Sequence, residues 1–303
     1  MKHLKYDYAV VGGDIRQVYL TEELAGHQNR ICHYALAAEP DKNKYPDASH
    51  VVAASSLEHA CEYSSCIICP IPLSKSGSYL NQNGLTEDLS LKSLLVALQP
   101  EQYLFAGCIP EDFRNSAIEK GVYTFDLMQN NTLAIYNTIA TAEGAICEAI
   151  SKSPINLNKS RCAVLGYGKC GRTLVSYLKG LFCHTYACSN NPGEQAQAAI
   201  ISDSTGDLKD FKKCAGEFDF VFNTIPSLVI TADILADMKD SVTIIDIASA
   251  PGGVDYQSAK NLGRTALLVP GLPGKYAPSS SARALKESIE TILSQEKCKT
   301  KKE

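Results

Sequence analysis

No apolar run in this chain of 303 residues approaches the roughly 20 residues that span a bilayer. The start, Met1-Lys2-His3-Leu4-Lys5-Tyr6-Asp7, also lacks the apolar core of a signal peptide. A membrane protein is therefore not expected, and the chain should stay where it is made, in the cytoplasm. Strong charge of either sign is missing too: 29 Lys and Arg face 33 Asp and Glu, a formal net charge of -4. That balance gives no general field for nucleic acid or an anionic membrane, and leaves only local anion sites open. Cysteine is not scarce. Of the twelve, Cys32, Cys66, Cys69, Cys162 and Cys183 fall inside apolar stretches, and Cys66-x-x-Cys69 has no second pair. They read as small buried hydrophobes in a reducing compartment, with no metal site.

What is present is a short apolar strand, Cys162-Ala163-Val164-Leu165, running into Gly166-Tyr167-Gly168-Lys169-Cys170-Gly171. A G-x-G-x-x-G between a strand and a helix is a dinucleotide fingerprint. The first glycine permits the turn, the second admits a pyrophosphate, and the third lets helix and strand pack closely. The amides at the helix start then hold the phosphates.

Strands and helices alternate on both sides of this motif. Before it, strands are expected at Tyr6–Val11, Ile31–Leu36, Ser65–Cys69, Tyr103–Ala106 and Val122–Phe125, with a turn at Gly12-Gly13-Asp14 that lacks the full fingerprint. After it come strands at 183–188, 219–222, 242–246 and 266–269. Asn131 to Ile150 carries Leu133, Ile139, Ala142, Ile146 and Ile150 at helical intervals, and Pro154 marks its stop. The expected fold is α/β: two Rossmann-like doubly wound domains joined by a long helix, with the NAD(P)-binding one C-terminal. The boundaries expected are 1–130 for an N-terminal substrate or partner domain, 131–157 for the connecting helix and linker, and 158–278 for the dinucleotide domain. The last segment, 279–303, reads as a helix returning to the first domain, with a frayed charged tail from Lys297.

Ligands of open parallel sheets lie beyond the carboxyl ends of the strands. Candidate cofactor contacts there are Gly166, Gly168, Lys169, Cys170, Gly171, Ser189, Asn190, Asn223, Thr224, Ile225, Asp246, Ala248 and Gly271. An acid at the end of the second strand would select NAD, and a cation NADP; Cys188-Ser189-Asn190-Asn191 offers neither, so NADP is favoured only by the missing acid. In the first domain Arg16 is read either as a two-pronged carboxylate clamp or as a surface residue of a first helical turn, and Lys75 as a second cation. On the connecting helix Tyr136, Asn137, Thr138, Thr141 and Glu143 put polar groups between apolar ones. No histidine follows His184, which removes the acid/base residue of a 2-hydroxy acid dehydrogenase.

Gly12-Gly13-Asp14-Ile15-Arg16-Gln17, Ile135-Tyr136-Asn137-Thr138 with Thr141-Ala142-Glu143-Gly144, Asn223-Thr224-Ile225-Pro226, Ile245-Asp246-Ile247-Ala248-Ser249 with Pro251-Gly252-Gly253, and Val269-Pro270-Gly271-Leu272-Pro273-Gly274 with Ala277-Pro278 resemble, in order and over almost the whole chain, the A subunit of dipicolinate synthase. The resemblance implies an NAD(P) oxidoreductase working with a flavoprotein-like B subunit in the mother cell of an endospore former, with a homo-oligomer also open. It implies a small dicarboxylate substrate, oxidised from the dihydrodipicolinate level to pyridine-2,6-dicarboxylate, with Arg16, Lys75, Asn137 and Glu143 as candidate catalytic groups. The chain departs from relatives at Cys188, where they carry a basic residue, at Ala250, where they carry lysine, and at Ala140, where they carry proline. Two other readings stay open: a nucleotide-binding scaffold that performs no hydride transfer, and a shikimate dehydrogenase-like NADP reductase.

Overall fold

The computed structural model describes residues 5–26, 29–82 and 89–300. The expectations for residues 1–4, for His27 and for the last three residues of the tail lie outside that range. In chain order the first stretch forms β1 (Tyr6–Val11), α1 (Ile15–Ala25), β2 (Ile31–Tyr34), β3 (Val51–Ala53), α2 (Leu57–Glu62), β4 (Ser64–Ile68), α3 (Leu91–Ala97), β5 (Tyr103–Ala106), α4 (Glu111–Glu119) and β6 (Tyr123–Asp126). These strands make one parallel sheet in the order β3-β2-β1-β4-β5-β6. Successive side chains point to opposite faces and both faces are covered, so the strands read as apolar runs. Ala9, Val11, Ile67, Cys69 and Leu104 fill one side, and Tyr8, Val10, Cys66, Ile68 and Phe105 the other. Cys66 and Cys69, three residues apart, therefore face opposite sides of the sheet.

The long helix α5 (Asn131–Lys152) follows, and then β7 (Arg161–Leu165), α6 (Lys169–Gly180), β8 (His184–Cys188), α7 (Pro192–Ala198), β9 (Ser204–Gly206), α8 (Leu208–Cys214), β10 (Phe220–Asn223), α9 (Ala232–Asp237), β11 (Thr243–Asp246), α10 (Tyr256–Asn261), β12 (Thr265–Leu268), α11 (Leu272–Tyr276) and α12 (Pro278–Thr300). The second sheet is also parallel, in the order β12-β11-β10-β7-β8-β9. Read from its own first strand, each sheet has the order 3-2-1-4-5-6, the arrangement of doubly wound dinucleotide-binding folds.

Two compact units result, Met1–Ala134 with Ala277–Glu303, and Ile135–Tyr276. Helix α12 belongs to the first because Ala282, Leu285, Ile289 and Leu293 pack among Leu20 and Leu24 of α1. Each buried leucine or isoleucine among them contributes about 2 kcal/mol. The structure changes several local readings. Helix α12 continues through Lys297 to Thr300, so this part of the expected frayed tail is helical. Strand β2 stops at Tyr34, and Ala35 takes a left-handed φ of 53°. On α5 the buried line is Leu133, Ala142, Ala145, Ile146 and Ala149, while Ile139 and Ile150 are exposed. Three-residue edge strands β3 and β9 had no alternating signal long enough to read.

Candidate functional site

Ladder register puts the sequence-predicted segments of the second unit in one row. Leu165 pairs with Cys188 and Asn223, Asn223 with Asp246, and Asp246 with Leu268. The residues just past that row are the glycine turn, Ser189-Asn190, Thr224-Ile225, Ala248 and, three residues beyond β12, Gly271. They stand at the carboxyl end of the sheet, and β7 beside β10 is its topological switch point.

The three glycines of the turn are required for different reasons. Gly166 has φ +93°, and a Cβ there would meet Thr224 Oγ1 at 2.2 Å. At Gly171 a Cβ would come within 2.0 Å of the Gly166 carbonyl oxygen, so α6 lies hard against the turn. Gly168 differs: its φ is -71°, which any residue adopts, and a Cβ would meet nothing within 4 Å. The chain's own packing does not demand glycine at 168, the position at which the fingerprint leaves room for a pyrophosphate. Gly168 also makes no side-chain cap bond as the N-cap of α6, so the first-turn amides of Lys169, Cys170 and Gly171 are not claimed by a cap side chain. The positive end of a 12-residue helix thus faces an open cradle. Lys169 is exposed beside it, and burial pushes the Cys170 thiol above its ordinary pKa.

Asn223 and Asp246, expected as cofactor contacts, have their side-chain polar atoms bonded within the chain. Both are fully buried. Asp246 Oδ1 accepts from Asn223 Nδ2 at 3.0 Å and from the Ala248 amide at 3.0 Å, and Oδ2 accepts from the Gly253 amide at 2.6 Å and the Tyr256 hydroxyl at 2.7 Å. The Asn223 side-chain amide also bonds the Ile225 carbonyl and backbone N–H. The Thr224 hydroxyl donates to the Leu165 carbonyl at 3.0 Å. These side chains hold the loops after β10 and β11 in shape. Burial, and then Asp246, push the Tyr256 hydroxyl pKa well up, so Tyr256 remains a donor to that carboxylate. Ser189 is buried and its hydroxyl donates to Glu194, while Asn190 accepts from the Leu208 amide.

At the same end of the first sheet, Gly12-Gly13-Asp14 after β1 lies beside the 70–75 loop after β4. Arg16 is buried at 8% exposure, which excludes the surface reading. Its Nε and Nη2 take both oxygens of Asp14, at 2.9 and 2.8 Å, and Nη2 also donates to the Ile71 carbonyl at 2.7 Å. Asp14 in turn caps α1 in a reciprocal capping box with Gln17. Burial works to raise the Asp14 pKa; Arg16, with Lys75 adding a smaller pull, overcomes it and holds the carboxyl below its ordinary value. Lys75 itself is exposed.

On α5, Asn137 is half-buried, and Glu143 is exposed and accepts from the Tyr177 hydroxyl at 3.2 Å. Thr138 faces α6, bonding Thr173 Oγ1 at 2.7 Å. Missed from the sequence was Glu148, buried on the same helix and bonded by Lys275 and by the Tyr276 hydroxyl at 2.8 Å. Those bonds, Lys275 first, hold its pKa down. The Gly-Lys-Tyr after Gly271-Leu272-Pro273 was the available signal for that tie. Arg16 and Lys75 belong to the first unit, Asn137 and Glu143 to the second.

Comparison with known proteins agrees with this geometry. Residues 132–255 match the family described as D-isomer specific 2-hydroxyacid dehydrogenase, NAD binding domain, and residues 7–128 match the family of the N-terminal domain of the dipicolinate synthase A subunit. The second unit is thus an NAD-binding domain of the dehydrogenase type and binds NAD(P), which supports an oxidoreductase. The 2-hydroxyacid dehydrogenase match covers the cofactor half, and His184, the last histidine, lies at the amino end of β8, away from the glycine turn.

Over 291 residues, 95% of each chain, the protein is 28% identical to the dipicolinate synthase A subunit of Bacillus subtilis (strain 168). The crystal structure of the dipicolinate synthase A subunit from Bacillus halodurans superposes with a TM-score of 0.81 at 26% identity, covering 96% of this chain and 99% of that one. The crystal structure of the corresponding subunit from Bacillus subtilis gives 0.82 at 25% identity, covering 97% of both. The resemblance to the A-subunit family of dipicolinate synthase, read from the motifs, therefore holds along nearly the whole chain. Among the described residues no helix is long and apolar enough to cross a membrane.

Proposed function

We propose that this chain oxidises a dihydrodipicolinate-level product of dihydrodipicolinate synthase to pyridine-2,6-dicarboxylate, acting on a CH–CH bond with NAD(P)+. It does so as an A subunit beside a flavoprotein-like B subunit, in the cytoplasm of a sporulating mother cell. The observation that carries the reading is the open Gly168 cradle in a chain whose 7–128 segment is of the dipicolinate synthase type. Reaching the aromatic ring from the dihydro level removes one hydride and one proton from the substrate. The dinucleotide, when bound, supplies the hydride acceptor.

This chain's residues bind and orient. The α6 amides and Lys169 hold the diphosphate, and Asn223 and Asp246 fix the loops beside it. The exposed Lys75 and the remaining Nη1 of Arg16, whose Nε and Nη2 are already taken by Asp14 and the Ile71 carbonyl, are the cationic groups offered to the two substrate carboxylates. Asn137 and Glu143 are the polar groups offered from α5. The ring proton leaves to solvent. Aromatisation is favourable, so positioning is the main demand on the protein.

The test supplies the purified chain with freshly made dihydrodipicolinate synthase product and NADP+ or NAD+, with and without the B subunit, following reduced nicotinamide and dipicolinate together. Matched formation of both is the expected result. Dipicolinate without nicotinamide reduction would move the oxidation to the partner and reduce this chain to a nucleotide-binding scaffold.

A further inference from the structure

The end of β8 carries an acid that is not adjacent in sequence. The Gly166 amide donates to the Cys188 carbonyl at 2.8 Å, so the next residue, Ser189, sits at the flank of the glycine turn. Its buried hydroxyl donates to Glu194 Oε2 at 2.6 Å and accepts from the Asn191 amide at 3.1 Å. Gln195 Nε2 donates to the Ser189 carbonyl at 2.6 Å. Three bonds thus draw the first turn of α7 back over the strand end, with the half-buried Glu194 carboxylate anchored there.

We propose that Glu194 makes this chain selective for NAD over NADP, by accepting from the adenosine ribose 2'-hydroxyl and repelling a 2'-phosphate. The proposal rests on dinucleotide binding at the second sheet. A carboxylate has two oxygens and about four acceptor positions; Ser189 uses one, which leaves capacity for a ribose hydroxyl. A 2'-phosphate has only acceptor oxygens at neutral pH and carries up to two negative charges against this one. The strand end itself, Cys188-Ser189-Asn190, has no cation to offset that repulsion. Of the cations on the neighbouring elements, Lys179 is paired with Asp203 at 2.7 Å, Arg172 Nε donates to the Tyr167 carbonyl, Lys169 lies in the glycine turn, and Lys209 stands in the first turn of α8, where the Leu208 amide reaches Asn190 at 3.2 Å. Opposite selectivity would have to rest on Lys209.

Titration of the full chain with NADH and with NADPH, by calorimetry, reads selectivity without needing turnover. NADH is expected to bind at least about tenfold more tightly than NADPH. Glu194→Gln, which keeps the shape and an acceptor for Ser189, is expected to tighten NADPH about tenfold and to weaken NADH only a few-fold; Lys209→Ala is expected to leave the preference in place. Tighter NADPH binding by the native chain, or an unchanged ratio in Glu194→Gln, would overturn the proposal while leaving dinucleotide binding intact. Loss of the preference in Lys209→Ala would overturn it in the same way. Failure of both nucleotides to bind would overturn it together with the reading of the second sheet.

Discussion

Two sheets with the same strand order end differently at the same place. After β7 the chain leaves a bare helix start: Gly168 caps nothing, and the amides of α6 face outward. After β1 the corresponding helix start is filled by the chain's own Asp14, which caps α1 and is neutralised by Arg16. An anion entering the first position would meet a carboxylate already in place; at the second it would meet unsatisfied donors and a helix dipole. Fold alone therefore does not say where a dinucleotide binds. The residue at the N-cap does.

The contrast is broken most severely at the glycine turn. Gly168→Val is expected to lower dinucleotide affinity at least about a hundredfold, because its side chain fills the phosphate approach, with little change in melting temperature since the position is free of internal contacts. Isothermal titration beside a thermal melt checks both parts. Gly171→Val, by contrast, drives a side chain into the Gly166 carbonyl and should cost more than about 3 kcal/mol of stability as well.

Asp246→Asn comes next. It replaces an acceptor of four bonds with a group that must turn donor hydrogens toward at least one buried donor, an expected loss of about 2 to 4 kcal/mol in a denaturant titration.

Asp14→Asn sharpens the other side of the comparison. It weakens the partner of a buried Arg16, with an expected loss of about 2 kcal/mol; the figure stays below that of a fully buried pair because the Asp14 side chain is 36% exposed and water screens it. The pH dependence has a definite sign. The folded pKa of Asp14 is lowered, so its contribution is present above the unfolded carboxyl pKa of about 3.9 and is lost as pH falls below that value through the folded one. Acid titration of stability should be flatter below about pH 4 in Asp14→Asn than in the native chain. Arg16→Ala is expected to weaken substrate use about tenfold or more through KM, with dinucleotide affinity within twofold of native. Steady-state kinetics and calorimetry on one preparation check it, and equal losses in both would remove the functional separation. The smallest effect is expected of Tyr256→Phe, which removes one of four donors to Asp246 and should cost about 1 kcal/mol.

Much of this was legible before the structure. Apolar strands such as Tyr6–Val11 and Arg161–Leu165 are buried on both faces, so their composition announces them, and the glycine fingerprint marks its own turn. The edge strands β3 and β9 were not legible, because three residues with partly exposed side chains carry no period. Side-chain roles at the site were less legible than positions. Asn223 and Asp246 stand where polar residues ending strands were expected, yet each spends its polar atoms on neighbouring loops, a choice set by ladder register and loop path. Asp14 and Arg16, two residues apart, could be read as a cap or as a clamp. Glu194 was invisible as a strand-end acid because its place depends on how α7 turns back after Asn191.

The most direct test of the contrast between the two sheet ends is the stoichiometry of dinucleotide binding. Calorimetric titration of the native chain, Gly168→Val and Asp14→Asn should give one dinucleotide per chain, lost in the first variant and retained in the second. Two per chain, or binding that survives Gly168→Val and fails in Asp14→Asn, would contradict it.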